Sequence, residues 1–241
     1  MDSSIFNRTE LLVGTEGMER LAAARVILFG VGGVGSWCAE GLVRSGVGHL
    51  TLVDGDVVVP SNINRQLMAT TATVGRVKVD TLKEHLLEVN PAADIDARRE
   101  LFSHDTVEGF GLENYDYVVD AIDSLQHKLE LILRCTQKTV PFGFYSSMGA
   151  ALKMDPTQIR VSEFWEVDGC PLAATLRRRM RRQKRFPGHK FKCVWSPEVI
   201  RAGGGEQVAG SGEREPNGSM MHVTAIMGLT LAGLIIQDIT R

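Results

Sequence analysis

Six consecutive residues constrain this chain more than any others. Gly30-Val31-Gly32-Gly33-Val34-Gly35 follows directly on Arg25–Gly30 (RVILFG), a short apolar run. Such a run reads as a buried parallel strand. Glycines let the chain turn tightly at its end. The spacing G-x-G-x-x-G between a strand and a helix places the helix N-terminus, with its free N–H groups, beside a phosphate-sized space. The same alternation continues. Ser36–Ser45 reads as the helix, with Gly46 at its C-terminal end. His49–Val53 reads as a second strand, closed by Asp54, Gly55 and Asp56. Lys78–Val89 is a helix stopped at Asn90-Pro91. Ile95–Arg99, Tyr115–Ile122 and Val140–Tyr145 read as further strands, with a helix over Leu125–Gln137. Strands alternating with helices predict an α/β fold: a Rossmann-like, doubly wound, largely parallel sheet.

Beyond Gly149 the pattern changes. Asp155–Phe164 reads as a turn and a strand, Leu172–Lys184 as a very basic helix, and Ala202–Ser219 as a Gly-, Glu- and Ser-rich loop. An apolar helix is expected over Met220–Asp238. With 241 residues, a single domain is expected, with a substrate-binding excursion at about 165–220. The most apolar run, Val223–Ile236, is short of the ~20 residues that span a bilayer, so a buried helix is expected there rather than a membrane contact. The opening MDSSIFNRTE is polar, and no secretory leader is expected. Cys38, Cys135, Cys170 and Cys193 contain no Cys-x-x-Cys pair, so no zinc site is expected. Widely spaced cysteines suit free thiols in a reducing cytoplasm. Cys38 and Cys135 read as core, and Cys170 and Cys193 as structural. His222, at the start of the last helix, reads as packing or capping, and Gly228 and Gly233 as points of close packing.

The glycine turn implies a nucleotide, and the residues that follow narrow the choice. Asp54 stands at the end of the second strand, where a carboxylate can hold ribose hydroxyls. Asp56, Ser61-Asn62-Ile63-Asn64-Arg65-Gln66 and Lys78 come next. One Arg, one Lys and two amides behind a ribose-binding acid suit a triphosphate better than a nicotinamide dinucleotide, because they can neutralise charge on phosphates under attack. Asp123 follows the fourth strand in Asp120-Ala121-Ile122-Asp123 and faces the ligand crevice, where Mg²⁺ takes a few carboxylates plus phosphate oxygens. No Ser/His/Asp pattern is present.

Gly30–Gly35, Asp54-x-Asp56, Asn62-x-Asn64-Arg65-Gln66, Lys78 and Asp120–Asp123 together resemble the ThiF/MoeB and ubiquitin-activating superfamily of adenylating enzymes. The resemblance implies ATP and Mg²⁺, with AMP transferred to a carboxylate. It implies nucleotide contacts from Gly30, Gly32, Gly33, Gly35, Asp54, Asp56, Asn62 and Gln66. Asn64, Arg65 and Lys78 would contact phosphates, and Asp123 would bind the metal; Arg65, Lys78 and Asp123 would carry the reaction. It also implies a homodimer in which an N-terminal arginine, here Arg8, reaches the partner's ATP site. Ser36-Trp37, Asp155–Ile159, Cys170–Ala173 and Cys193–Ser196 are similar to the tRNA threonylcarbamoyladenosine dehydratase branch, which cyclises that modified base on tRNA. Some dehydratases carry a cysteine just before the last helix; Ser211–Met221 contains none, which argues against a thioester step there.

A polyanionic partner fits one segment. Leu176–Lys192 holds nine positive charges and no acid, in a chain whose net charge is −2. Arg177, Arg178, Arg179, Arg181, Arg182, Lys184 and Arg185 are the expected tRNA contacts, and phosphate contacts make affinity fall steeply with salt. Three alternatives stand beside this reading. One is adenylation of a ubiquitin-like sulfur carrier, which the basic segment and missing zinc pairs disfavour. Another is an NAD-linked oxidoreductase, and the last a nucleotide-binding regulator without turnover. A sulfur-transfer or redox partner protein is a further expectation.

Overall fold

The apolar runs become short strands whose alternate side chains face opposite ways. The computed structural model describes residues 3–137, 139–200 and 217–241. The strands are β1 (Arg25–Phe29), β2 (His49–Val53), β3 (Asp94–Arg98), β4 (Tyr117–Asp120), β5 (Gly143–Ser147), β6 (Arg160–Glu163) and β7 (Lys192–Trp195). They form one sheet in the order β3-β2-β1-β4-β5-β7-β6. All pairings are parallel except β6 with β7. The expected doubly wound, largely parallel sheet is therefore present.

The helices are α1 (Asn7–Ala23), α2 (Gly35–Arg44), α3 (Lys78–Val89), α4 (Leu125–Cys135), α5 (Pro171–Gln183) and α6 (Met221–Thr240). They cover both faces of the sheet, as a parallel sheet requires. Val26 and Leu28 of β1 face a core shared with α2, α3 and α6. Ile27 and Phe29 face a second core built with α4 and α5. The helix α6 is apolar and, at 20 residues, long enough to cross a membrane by length and composition. Yet Val223, Met227, Leu231 and Ile235, four residues apart, are all fully buried in the first core. It is a core helix of this fold. Its crossing with α2 is close because Gly228 lies against the Val34 carbonyl and Gly41 against Ala232. Gly233, expected to pack like Gly228, has open space where a Cβ would stand.

Some boundaries differ from expectation. The strand expected at Val140–Tyr145 begins at Gly143, because Pro141 has no N–H to give a ladder. Two elements were not expected at all. α1 is broken at Gly14 (φ 72°, ψ 171°), which interrupts its periodicity. β7 is only four residues long and sits behind the basic segment.

The order of strands reverses between β1 and β4. Phe29 pairs with Val53 on one side and Asp120 on the other, so the glycine turn and residues 121–124 leave the sheet side by side. Such a switch point opens a crevice at the carboxyl ends of the strands.

Candidate active site

A cavity of about 640 Å³ fills that crevice. Its floor is the glycine turn. Gly30 has φ +86°, and a Cβ there would meet the Ala121 carbonyl oxygen at 2.8 Å. A Cβ on Gly35 would meet the Gly30 oxygen at 1.8 Å. Neither position accepts a side chain. Gly30, Gly32 and Gly33 line the cavity, while Gly35 begins α2 beneath it.

The polar groups come from the segments that follow β2 and β4 and from the start of α3. After β2, Asp54 Oδ2 accepts from the Val31 N–H (2.9 Å) and Oδ1 from the Asp56 N–H (3.0 Å). That carboxylate ties β2 to the glycine turn and keeps lone pairs for hydroxyls. Lys78 opens α3 and is buried; its Nζ donates to Asp56 Oδ2 at 2.8 Å. A desolvated ammonium with one carboxylate partner interacts strongly with any anion that enters beside it. Arg65 lines the same cavity, and its Nη1 donates to the Ser61 carbonyl (2.8 Å) and Asn64 Oδ1 (2.9 Å). Its backbone is braced from α2, where Trp37 Nε1 donates to the Arg65 carbonyl at 3.1 Å. Ser36 Oγ donates to the Gly32 carbonyl (2.7 Å) and accepts from the Leu67 N–H (3.2 Å). The Ser36-Trp37 pair thus locks the glycine turn to the turn that carries Arg65.

After β4 the chain turns around a buried ion pair. Lys128 Nζ lies 2.8 Å from Asp120 Oδ2, and both side chains are fully buried. Lys128 also donates to the Ile122 carbonyl (2.9 Å). Ser146 Oγ donates to Asp120 Oδ2 (2.7 Å), and the Ile122 N–H donates to Oδ1 (3.0 Å). The turn held this way presents Asp123, exposed, to the cavity. The N-cap of α4 is Ser124, so Asp123 does not serve as the cap. Among the described residues no three His, Cys, Asp or Glu side chains gather as a metal cage. One free carboxylate facing a phosphate-sized space fits the sparse protein ligation of Mg²⁺.

Asp54, Asp56, Arg65, Gln66, Lys78 and Asp123 therefore meet in one cavity. Besides Gly35, three expected contacts do not line it. Asn62 is buried and its Oδ1 accepts from the Val59 N–H, closing the 59–62 turn. Asn64 Nδ2 donates to the Ser219 carbonyl. Arg8 is exposed on α1. The cavity also has walls that sequence reasoning missed: Leu101 and Phe102 after β3, Ser147–Ala151 after β5, and His127, Leu172 and Thr224. Their signal was positional, since residues just past parallel strands face the crevice.

The basic helix divides in two. Arg177 Nη1 donates to the carbonyls of Phe164 (3.1 Å) and Val167 (2.6 Å). Arg185 makes a bidentate pair with Glu130 of α4 (2.7 and 2.8 Å). Arg181 lies 5.7 Å over the Trp165 ring, and Lys184 forms the left-handed C-cap. Arg178, Arg179 and Arg182 instead line a second recess. All four cysteines are buried and free. Burial pushes the thiols of Cys38, Cys135 and Cys193 far above their ordinary range, which keeps them protonated and poorly nucleophilic. His222 Nε2 lies 2.7 Å from the Met154 carbonyl and ties α6 to that loop. Residues 202–216 of the loop read over 202–219, and most of the cysteine-free Ser211–Met221, lie outside the described residues.

Comparison with known proteins bears on the whole chain. The ThiF family model matches residues 6–240. A tRNA threonylcarbamoyladenosine dehydratase of Bacillus subtilis is 36% identical over 244 residues, covering 98% of this chain and 94% of that protein. The Escherichia coli protein of the same name is 37% identical over 200 residues, covering 81% of this chain and 74% of its own. The crystal structure of E. coli tRNA N6-threonylcarbamoyladenosine dehydratase in complex with ATP superposes with a TM-score of 0.86 at 31% identity, covering 98% of this chain and 94% of that one.

Proposed function

The chain belongs to the ThiF family, and we propose that it is an ATP-dependent dehydratase that adenylates and cyclises threonylcarbamoyladenosine in tRNA. One observation carries this reading: Asp54, Arg65, Lys78 and Asp123 converge on a single cavity at the glycine turn, in a chain similar along its length to such dehydratases.

The chemistry follows from leaving groups. A carboxylate resists attack because oxide would have to leave. One threonyl carboxylate oxygen attacks the α-phosphorus of ATP; the bond to the bridging oxygen breaks and pyrophosphate departs. A nitrogen or oxygen of the carbamoyl group then attacks the acyl carbon, and a carbamoyl N–H gives up its proton. The acyl–oxygen bond breaks and AMP leaves with the former carboxylate oxygen, so the base has lost one water. The protein's task is alignment and charge stabilisation. Asp54 holds the ribose. The α2 N-terminus and glycine-turn N–H groups meet the phosphates. Lys78 and Arg65 offset the charge that shifts onto pyrophosphate. Asp123 would hold Mg²⁺, which when bound neutralises phosphate oxygens. Gln66 lines the wall beside Gly32.

The same reading takes the protein as a homodimer. Leu11 and Leu12, on α1 just after Arg8, are 88% and 86% exposed, an apolar face that a second copy would cover while Arg8 reaches the neighbouring cavity. The basic α5 meets the RNA, and four free thiols suit a reducing cytoplasm. The test supplies purified protein with labelled ATP, Mg²⁺ and tRNA with or without the modification. AMP release confined to modified tRNA, with a nucleoside lighter by one water, is expected. No AMP and no mass change would remove the reading.

A further inference from the structure

The recess on α5 is built differently from the rest of the basic segment. It measures about 270 Å³ and is lined by Leu125, Thr175, Arg178, Arg179 and Arg182. Leu172, in the first turn of the same helix, lines the wall of the large cavity. Leu172, Thr175, Arg179 and Arg182 follow at spacings of three, four and three, which places them on one helix face. Ten residues of α-helix rise about 15 Å. One face of α5 therefore runs from the active-site wall out along the recess. Leu125 in the recess directly follows Ser124, which lines the cavity, so the two spaces adjoin at the start of α4 as well.

The charges on this face are unbalanced. Arg177 and Arg185 are bound to carbonyls and to Glu130. Among the described residues, Arg178, Arg179 and Arg182 have neither an ion pair nor a side-chain hydrogen bond. Like charges at positions 178 and 182, four residues apart, destabilise a helix unless an anion joins them. Guanidinium forks match phosphate in shape and charge.

We propose that this recess binds backbone phosphates of the RNA strand whose modified base enters the cavity. Arg178, Arg179 and Arg182, rather than the basic segment as a whole, set RNA affinity. The recess gives the strand a fixed exit along α5, which holds the base in register with the nucleotide. This rests on the dehydratase reading for the identity of the base, but not for the binding of RNA.

The experiment measures tRNA affinity of the full chain over a range of salt, by fluorescence anisotropy. The triple variant R178Q/R179Q/R182Q is compared with wild type and with R177Q/R185Q. The triple variant is expected to bind tRNA at least about ten-fold more weakly, and its plot of log affinity against log salt should be shallower by about 2. R177Q/R185Q should melt at lower temperature and keep the wild-type salt slope. Arg182→Glu alone, at an exposed position, gives the same direction should the triple variant fold poorly. Wild-type affinity and slope in both recess variants would overturn the proposal, as would an equal loss of slope in R177Q/R185Q. AMP formation by the wild type on modified tRNA is scored separately. If that fails while the recess variants still lose slope, the dehydratase reading falls and the RNA site stands.

Discussion

Lys78 and Lys128 are both buried lysines with a carboxylate 2.8 Å away, and they do different things. Lys78 pairs with an exposed acid and lines the cavity. Lys78→Ala or Arg65→Ala is expected to slow AMP formation by on the order of 10²-fold or more, with little loss of fold. Unchanged single-turnover rates in both variants would remove these roles. Lys128 is sealed below the cavity and acts on the turn that aims Asp123. Lys128→Met leaves Asp120 buried without its cation, a change that costs about 3–5 kcal/mol. The expected result is a large drop in melting temperature. Lys128→Arg, which keeps the charge, should recover part of it if the ion pair is what matters. At this scale, legibility depended on context. Asp54, Arg65 and Lys78 could be placed at the crevice from strand ends and motif spacing. Asn62 fitted the same motif, yet its amide closes a turn. Lys128 carried no signal, because complete burial of a lysine inside an amphipathic helix cannot be seen in one sequence.

Elements show a similar division, decided by close approach. The glycines of α6 looked equivalent, and the α2 crossing separates them. A Cβ on Gly228 would stand 2.3 Å from the Val34 carbonyl, in the glycine turn. Gly228→Ala is expected to cost about 1–3 kcal/mol through overpacking and to weaken ATP binding as the turn shifts. Gly233→Ala meets nothing within 4 Å, so better helix propensity should stabilise it by about 1 kcal/mol. Thermal melts of the two variants with and without ATP check both signs; equal effects would mean that the crossing is not what fixes the turn. The long α6 was legible because Val223–Ile236 is the most apolar stretch of the chain. The helix α1 was not, since Gly14 divides it into two short pieces, and β7 was hidden by its length of four residues beside Lys190 and Lys192.

At the scale of the whole molecule, the alternation of strands and helices pointed to the parallel part of the sheet, because parallel strands need crossover connections and the crossover has one favoured hand. That alternation ends at β5. The antiparallel β6 edge could not be foreseen, since nothing local distinguishes an antiparallel strand from a parallel one. What one chain also cannot display is a site completed by a second copy. Arg8 stands exposed on α1 and does not line its own chain's cavity, beside Leu11 and Leu12 whose side chains lie almost wholly in solvent. If Arg8 serves the neighbouring cavity, two inactive variants should restore each other. Arg8→Ala keeps an intact cavity but supplies no arginine, whereas Lys78→Ala supplies the arginine but has a dead cavity. In a mixed dimer the first chain's cavity receives Arg8 from the second and is complete. Random re-pairing of equal amounts puts half the molecules into mixed dimers, each with one working site of two, so about a quarter of wild-type AMP formation should return. An arginine acting within its own chain would leave every site in the mixture defective, and mixing would then restore nothing.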